Sequence, residues 1–306
     1  MDTHSPQTKL PASLGWLVNQ PYLLLSLTSL FWAGNIVLGR YVSGHVPPIT
    51  LSCVRWIGAF LLMLPFAMPY LRRDWPVLRA RMPLMLLLAT TGFALNNVLS
   101  YWGLQYTQAL NALLIQSAGP LFVALWSLIL FGVRLTLAQM IGIATSLIGV
   151  LTILLRGDLS ALADLQLNRG DLMVGCAILV FGLYSAYMPR RPTTHPMSLI
   201  VFTTGLGALL MIPFNVWEIA AGARIHWDML TLVTLLYVIV FPSALAYLCF
   251  NRGIALIGPN RAAPFFHLMP VFGSAMAIIF LGETPQLFHL IGYALVLAGV
   301  FTASRR

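Results

Sequence analysis

The strongest constraint in this sequence is an internal duplication with a spacing of 150 residues. When 150 is added to the numbers of the first half, its last third aligns without a gap with the last third of the second half. The matching pairs are Gly103 and Gly253, Ala112 and Ala262, Pro120 and Pro270, Phe122 and Phe272, Gly132 and Gly282, Gly142 and Gly292, and Gly149 and Gly299. The chain is therefore predicted to consist of two related halves. In membrane proteins built from such repeats, the substrate commonly binds at the interface between them.

The composition indicates whether water or lipid surrounds these two halves. Apolar residues make up 59% of the chain and charged residues 8%, and the mean hydropathy is +0.87, whereas soluble domains carry about 25% charged residues. Lipid is therefore the expected main solvent. The net charge of +9 does not indicate nucleic-acid binding, because the basic residues lie between apolar runs rather than in one stripe. The three cysteines lie singly within apolar runs, so neither a metal site nor a cofactor is predicted.

Apolar runs long enough to cross a bilayer, about 20 residues each, define the predicted architecture. The predicted spans are 22–43, 48–70, 83–105, 109–131, 135–155, 170–189, 197–217, 229–250, 260–281 and 286–303. Residues 1–21 are interpreted as a cytoplasmic tail and residues 156–169 as a linker between repeats 22–155 and 170–303. This gives an all-α membrane protein with ten transmembrane helices.

The positions of the basic residues predict the orientation of these spans. With the N-terminus inside, twelve of the 17 Lys and Arg residues fall in cytoplasmic segments and four fall outside, as the positive-inside rule requires. Both termini are therefore expected in the cytoplasm. Five spans per repeat is an odd number, so the second repeat enters the membrane from the opposite side. The two five-helix repeats are thus predicted to be inverted relative to each other.

Several short stretches resemble a known family. The residues that carry the resemblance are Gly282-Glu283-Thr284, Ile291-Gly292 and Leu297-Ala298-Gly299-Val300 at the end of the second repeat, Phe131-Gly132, Ile141-Gly142 and Ile148-Gly149-Val150 at the end of the first, Tyr101–Thr107 with its counterpart Asn251–Ala255, and Phe31–Asn35. They are similar to the EamA repeat of the ten-helix drug/metabolite transporter superfamily. One departure is that Glu283 has Val133 as its counterpart; the acid would either orient a helix end or contribute to a gate.

The resemblance implies a function. Members of this superfamily export metabolites, often amino acids, across the bacterial inner membrane, and the chain resembles the aromatic amino-acid exporters in length and helix number. We therefore expect a multi-pass inner-membrane exporter of aromatic or large apolar amino acids that works by alternating access. The first alternative is export of drugs or other small amphipathic metabolites. A distant alternative is an intramembrane enzyme, but the sequence has no HExxH motif, and Ser274 with His267 or His289 only loosely imitates a catalytic pair.

Polar and aromatic side chains within the spans are the candidates for a binding cavity, because polar groups facing hydrocarbon are costly. The candidates are Trp32, Asn35, Asn97, Tyr101, Gln116, Tyr184, Tyr187, Ser243, Tyr247 and His267. Spans one, three and four recur as six, eight and nine, so these groups can line one central cavity. Their neutral hydrogen-bonding groups suit a zwitterion, and the rings can stack on an apolar side chain. The alternative role for each polar group is a hydrogen bond that holds helices together.

Three further predictions concern residues near these candidates. Pro120 and Pro270 are expected in the middle of their helices, where they form either paired hinges or static kinks. Arg55 is interpreted as a snorkelling or helix-end charge rather than as a substrate clamp. No Asp or Glu lies deep within a span, and only His267 could serve as a buried proton relay. We hypothesise that the carrier is an uncoupled facilitator of a small-molecule substrate.

Overall fold

A computed structural model describes residues 16, 18–132, 136–155, 157, 168–257 and 263–304, and all regular secondary structure in these ranges is helical. The helices of the first half are α1 (Pro21–Tyr41), α2 (Pro48–Ala80), α3 (Met82–Gly103), α4 (Ala109–Gln116), α5 (Gly119–Phe131) and α6 (Leu137–Leu154). Those of the second half are α7 (Arg169–Tyr187), α8 (Pro196–Ala220), α9 (Met229–Ile257), α10 (Leu268–Leu281) and α11 (Leu287–Ser304). Most of the predicted tail 1–21 and linker 156–169, and also Val133, lie outside the described residues.

The described helices have the length and surface of membrane spans. Six of them are long and apolar enough to cross a bilayer, and the bent pair of α4 and α5 makes a seventh. Shorter apolar helices occupy the fifth, ninth and tenth predicted positions. Large apolar side chains cover the outer surface; Ile279 is 72% exposed and Leu290 68%. A surface of this kind is stable in lipid and would aggregate in water.

Helix α2 is longer than predicted. Its predicted end is residue 70, but the helix continues past Pro65, Pro69 and Pro76 to Ala80. A proline removes one backbone hydrogen bond but does not stop a helix that is held by packing. Here Leu71 and Leu78 beyond the predicted end are buried in the core, and this packing holds the extension.

Helices α2 and α8 run antiparallel, and the carboxylate near the end of each helix accepts hydrogen bonds at the start of the other. The Glu218 carboxylate of α8 accepts bonds from the backbone N–H groups of Ile49 (3.1 Å) and Thr50 (2.7 Å) in α2. At the opposite end, Asp74 of α2 accepts a bond from the backbone N–H of His195 (2.8 Å), which caps α8. Carboxylates at helix N-termini satisfy free N–H groups and complement the helix dipole.

Helices α6 and α11 also run antiparallel, through their glycines. A Cβ atom on Gly149 would lie 2.6 Å from the carbonyl oxygen of Gly292, and one on Gly299 would clash with the carbonyl oxygen of Gly142. The Ser146 hydroxyl donates to the Val296 carbonyl across the same interface (3.0 Å). Glycine is required at these positions because the two backbones touch.

The first helix of each half packs against later helices of the other half. In α1, Leu25 fills the space beside Gly253 of α9, and Thr28 donates to the Ala246 carbonyl (3.2 Å). In α7, Gly170 meets the backbone of Gly103 at the end of α3. Helices of the two halves therefore pack against each other, and residues from both halves lie in the centre of the bundle.

Breaks in helical geometry occur at equivalent places in the two halves. Helix α3 contains a π-helical turn at Thr90–Ala94 and α9 contains one at Val240–Leu245, 150 residues further on. Such turns are frequent at functional sites because the additional residue redirects neighbouring side chains. Helices α4 and α5 meet at 41°.

The positions of Pro120 and Pro270 correct the prediction of a mid-helix proline. Pro120 lies in the first turn of α5, and Pro270 lies in the first turn of α10, after a 3₁₀ turn at Ala263–His267. In a first turn the missing N–H costs nothing, so the chain is broken immediately before each proline rather than at it.

Candidate functional site

The centre of the bundle contains a buried arginine that is bound by four polar side chains. Arg55 of α2 is only 3% exposed, and its Nε donates to the Ser243 hydroxyl at 2.6 Å. Its Nη1 lies within hydrogen-bonding distance of Asn97 Oδ1 (2.8 Å), Tyr101 Oη (3.0 Å) and Asn35 Oδ1 (3.3 Å). These five residues are called the Arg55 cluster below. The first half contributes four of them and the second half contributes Ser243, so the cluster bridges the interface between the halves.

Further hydrogen bonds orient the members of this cluster. The Tyr101 hydroxyl donates to Asn35 Oδ1 at 2.6 Å. The Asn97 amide donates to the Phe93 carbonyl (2.9 Å) in the π turn of α3, and the Ser243 hydroxyl donates to the Val238 carbonyl (2.7 Å) at the π turn of α9. The two acceptors Asn97 and Ser243 are thus each held by a hydrogen bond at the π turn of their own half.

The hydrogen-bond partners of Arg55 among the described residues are all neutral. No acid in the described ranges forms an ion pair with it, because each of these acids binds elsewhere, at or near a helix end. Asp74 and Glu218 bind helix N-termini as described above, Glu283 accepts from the N–H groups of Ala109 and Leu110 (2.8 Å each), Asp171 accepts from Thr107 and Asn111, and Asp228 accepts from Thr231 N–H (2.8 Å). A buried charge without a partner of opposite sign carries a large desolvation cost.

Asp228 shows how these terminal acids are stabilised. Its bond from the Thr231 backbone N–H, assisted by the His45 ring 3.2 Å away, holds the pKa of the carboxyl below its usual range. This carboxylate is therefore ionised at neutral pH, and its charge is used at the start of α9 rather than in the centre of the bundle.

An aromatic wall adjoins the Arg55 cluster; we define it as Trp32, Trp56, Phe93, Tyr184 and Tyr247. The Tyr247 ring lies 5.7 Å from Trp32, 6.3 Å from Trp56 and 6.1 Å from Phe93, and Phe93 lies 5.8 Å from Tyr184. The guanidinium carbon of Arg55 lies 4.5 Å from the centre of the Trp56 ring. Trp56 places a ring face against the cation, which is a cation–π arrangement.

The structure brings together seven of the ten candidate site residues from the sequence. Asn35, Asn97, Tyr101 and Ser243 belong to the Arg55 cluster, and Trp32, Tyr184 and Tyr247 belong to the aromatic wall. The other three lie elsewhere. Gln116 ends α4 at the bend, Tyr187 packs on Phe131 at a centroid distance of 5.2 Å, and His267 ends the 3₁₀ turn, where its carbonyl accepts a bond from Tyr293.

The interpretation of Arg55 as a snorkelling or helix-end charge is wrong. The side chain points into the bundle because acceptors on α1, α3 and α9 surround it, and their positions depend on tertiary packing. Trp56 and Phe93 were also missed, because buried aromatic residues in a span look like ordinary core residues. One feature of the sequence distinguishes Arg55. It lies inside the second apolar run, and no other charged residue follows until Arg72.

Comparison with known proteins places these features in context. The sequence profile of the EamA-like transporter family matches residues 19–155 and again residues 168–305. The uncharacterized transporter YyaM of Bacillus subtilis is 30% identical over 302 residues, which cover 92% of this chain and 93% of YyaM. A probable amino-acid metabolite efflux pump of Salmonella typhimurium is 27% identical, covering 91% of this chain and 92% of the pump.

Two further comparisons extend this set. A probable terminal-alkyne amino-acid exporter of Streptantibioticus cattleyicolor is 25% identical, covering 74% of this chain and 75% of the exporter. A protein crystal structure with 18% sequence identity superposes with a TM-score of 0.60, covering 92% of this chain and 96% of the other. The last comparison concerns the fold alone.

Proposed function

Because this chain belongs to the EamA-like transporter family, we propose that it exports amino acids, with a preference for aromatic and large apolar ones, across the bacterial inner membrane. The observation that carries the proposal is the Arg55 cluster, a buried polar site built by both halves and bordered by aromatic rings. Support also comes from relatives described as an amino-acid exporter and an amino-acid metabolite efflux pump.

The proposed architecture has ten spans in two inverted repeats, 22–155 and 170–303, with both termini in the cytoplasm. Three observations support it: the family profile matches twice, α2 runs antiparallel to α8, and α6 runs antiparallel to α11. The contact of Gly149 with Gly292 becomes the contact of Gly299 with Gly142 when each residue is exchanged for its counterpart 150 residues away. A two-fold axis in the membrane plane produces this exchange.

The proposed mechanism is alternating access. Movement of one repeat against the other would expose the Arg55 cluster first to the cytoplasm and then to the outside. Pro120 and Pro270 follow the chain breaks in the two equivalent spans, so these segments are proposed as the paired hinges. The aromatic wall would hold the apolar side chain of the solute beside the polar site.

Counterflow in proteoliposomes tests this proposal. Vesicles loaded with unlabelled L-phenylalanine should accumulate external labelled phenylalanine, and protein-free vesicles should not. Tyr247→Ala removes a ring from the aromatic wall and should slow phenylalanine exchange more than alanine exchange. The matched control is Phe214→Ala, since Phe214 is 62% exposed on the lipid-facing surface. Exchange of amphipathic drugs but of no amino acid would contradict the proposal.

A further inference from the structure

We propose that Arg55 is the binding site for a carboxylate group of the transported solute. This inference rests on the proposed function for its location at the centre of a carrier, but it does not depend on which amino acid is carried. It assigns the solute to a chemical class: monocarboxylates and zwitterions with an apolar body.

Arg55 and the neighbouring Trp56 have hydrogen-bond donors that the described residues leave unused. A guanidinium carries five N–H groups, and the bonds of Arg55 to described residues come from Nε and Nη1. Nη2 donates to none of the described residues. The adjacent indole N–H of Trp56 is buried and also lacks a partner in the described part of the chain. A carboxylate supplies two acceptor oxygens and matches the planar fork of an arginine.

The charge of Arg55 also selects for an anion. Arg55 is a buried cation whose described hydrogen-bond partners are neutral, and the described acids bind at or near helix ends. An incoming carboxylate supplies the missing negative charge, so it gains more from the site than a neutral group does. A cationic amphipath would be repelled by the same guanidinium. The charge therefore favours carboxylates over the cationic members of the drug class.

The neutral partners of Arg55 also make release of the solute easy. Asn97, Tyr101 and Ser243 hold the guanidinium in place, so the arginine does not need the solute in order to stay ordered. Their bonds come from Nε and Nη1 and need not break when a carboxylate binds Nη2, so release of the solute does not disorder the arginine. A carrier needs this balance, because a site that binds too tightly cannot release its solute.

The experiment compares four compounds that share one ring but differ in charge. L-phenylalanine and 3-phenylpropionate have a carboxylate, whereas phenylalaninamide and phenethylamine do not. Thermal unfolding of the purified full-length protein is measured with increasing concentrations of each. The variants are Arg55→Gln, Arg55→Lys and the control Arg252→Gln; Arg252 is exposed and binds Val18 and Asn19.

The expected result is that the two carboxylates raise the Tm of the wild-type protein and the other two compounds do not. Arg55→Gln should weaken the apparent affinity for both carboxylates roughly 10- to 100-fold. Arg55→Lys should give an intermediate loss, because it keeps the charge without the fork, and Arg252→Gln should behave as wild type. If Arg55→Gln does not fold, the four-compound comparison on wild type decides.

Other outcomes separate the two proposals. Equal stabilisation by phenylalaninamide and 3-phenylpropionate, or stabilisation by none of the four compounds, overturns the carboxylate site. Counterflow of phenethylamine alone overturns the carboxylate site but leaves the protein a carrier. Stabilisation by carboxylates without any counterflow supports the site and contradicts the proposed transport of amino acids.

Discussion

A guanidinium in the centre of a membrane protein is tolerated when its N–H groups find acceptors and its stem is covered. In this protein, amide and hydroxyl oxygens accept from Nε and Nη1, and the Trp56 ring covers the guanidinium at 4.5 Å. These neutral contacts fix the orientation of the guanidinium without neutralising its charge. The site therefore keeps electrostatic attraction for an anion, which an ion-paired arginine would have lost.

Asn35→Asp tests whether the uncompensated charge of Arg55 attracts an anion. Asn35 Oδ1 already accepts from Tyr101 (2.6 Å) and lies 3.3 Å from Arg55 Nη1, so an aspartate keeps both contacts and adds a permanent counter-ion. We expect the variant to have a higher Tm than wild type and a weaker affinity for 3-phenylpropionate, because the new carboxylate competes for the guanidinium. Thermal unfolding with and without the compound measures both effects. Unchanged affinity together with unchanged Tm would contradict the assignment.

At the level of a helix, the contacts of Glu283 bear on whether this acid orients a helix end or contributes to a gate. Its two carboxylate oxygens accept from the backbone N–H groups of Ala109 and Leu110, each at 2.8 Å. The acid that follows α10 therefore caps α4 and orients this helix end, in agreement with one of the two roles considered. The cap fastens the start of the bent span of the first half to the second half.

The hinge proposal leads to a prediction about α10. Pro270→Ala restores a backbone N–H after the chain break, which allows the 3₁₀ turn at Ala263–His267 to join α10 in one continuous helix. We expect transport to slow several-fold with little change in Tm, measured by counterflow and thermal unfolding. The matched control is Pro213→Ala in α8, because Pro213 also lies inside a span but is exposed on the outer surface. Equal transport by Pro270→Ala and wild type would reduce the break to a static kink.

For the whole molecule, the facilitator hypothesis depends on where the described acids lie. Every acid in the described ranges lies at or near a helix end, and most accept backbone N–H groups there. A proton-coupled carrier needs an ionisable relay near the solute, and His267 lies outside the Arg55 cluster and the aromatic wall. We propose on this basis that the solute moves down its own gradient.

The corresponding prediction is made for the intact carrier. The initial rate of phenylalanine uptake into proteoliposomes should be the same with and without an imposed pH gradient, provided that the mean pH is held constant. A proton ionophore is the control, because it removes the gradient without touching the protein. Uptake against a concentration gradient that requires a pH difference would overturn the facilitator hypothesis.

The sequence by itself determined the helical membrane class, the two related halves, the family and most of the polar groups at the centre. Apolar run length and a 150-residue repeat are local or additive properties of a chain, so they are readable without a structure. Asn97 and Tyr101 could be paired in advance because residues four apart share a helix face.

Only the tertiary structure decided the role of Arg55, the π turns of α3 and α9, and the positions of the chain breaks before Pro120 and Pro270. The direction of a long arginine depends on which acceptors other helices bring within about 3 Å, and these acceptors are up to 188 residues away in sequence. The same limit explains why Gln116, Tyr187 and His267 could not be told apart from the residues that meet in the centre. A span shows which side chains are polar, but the packing of α1, α2, α3 and α9 determines which of them face one another.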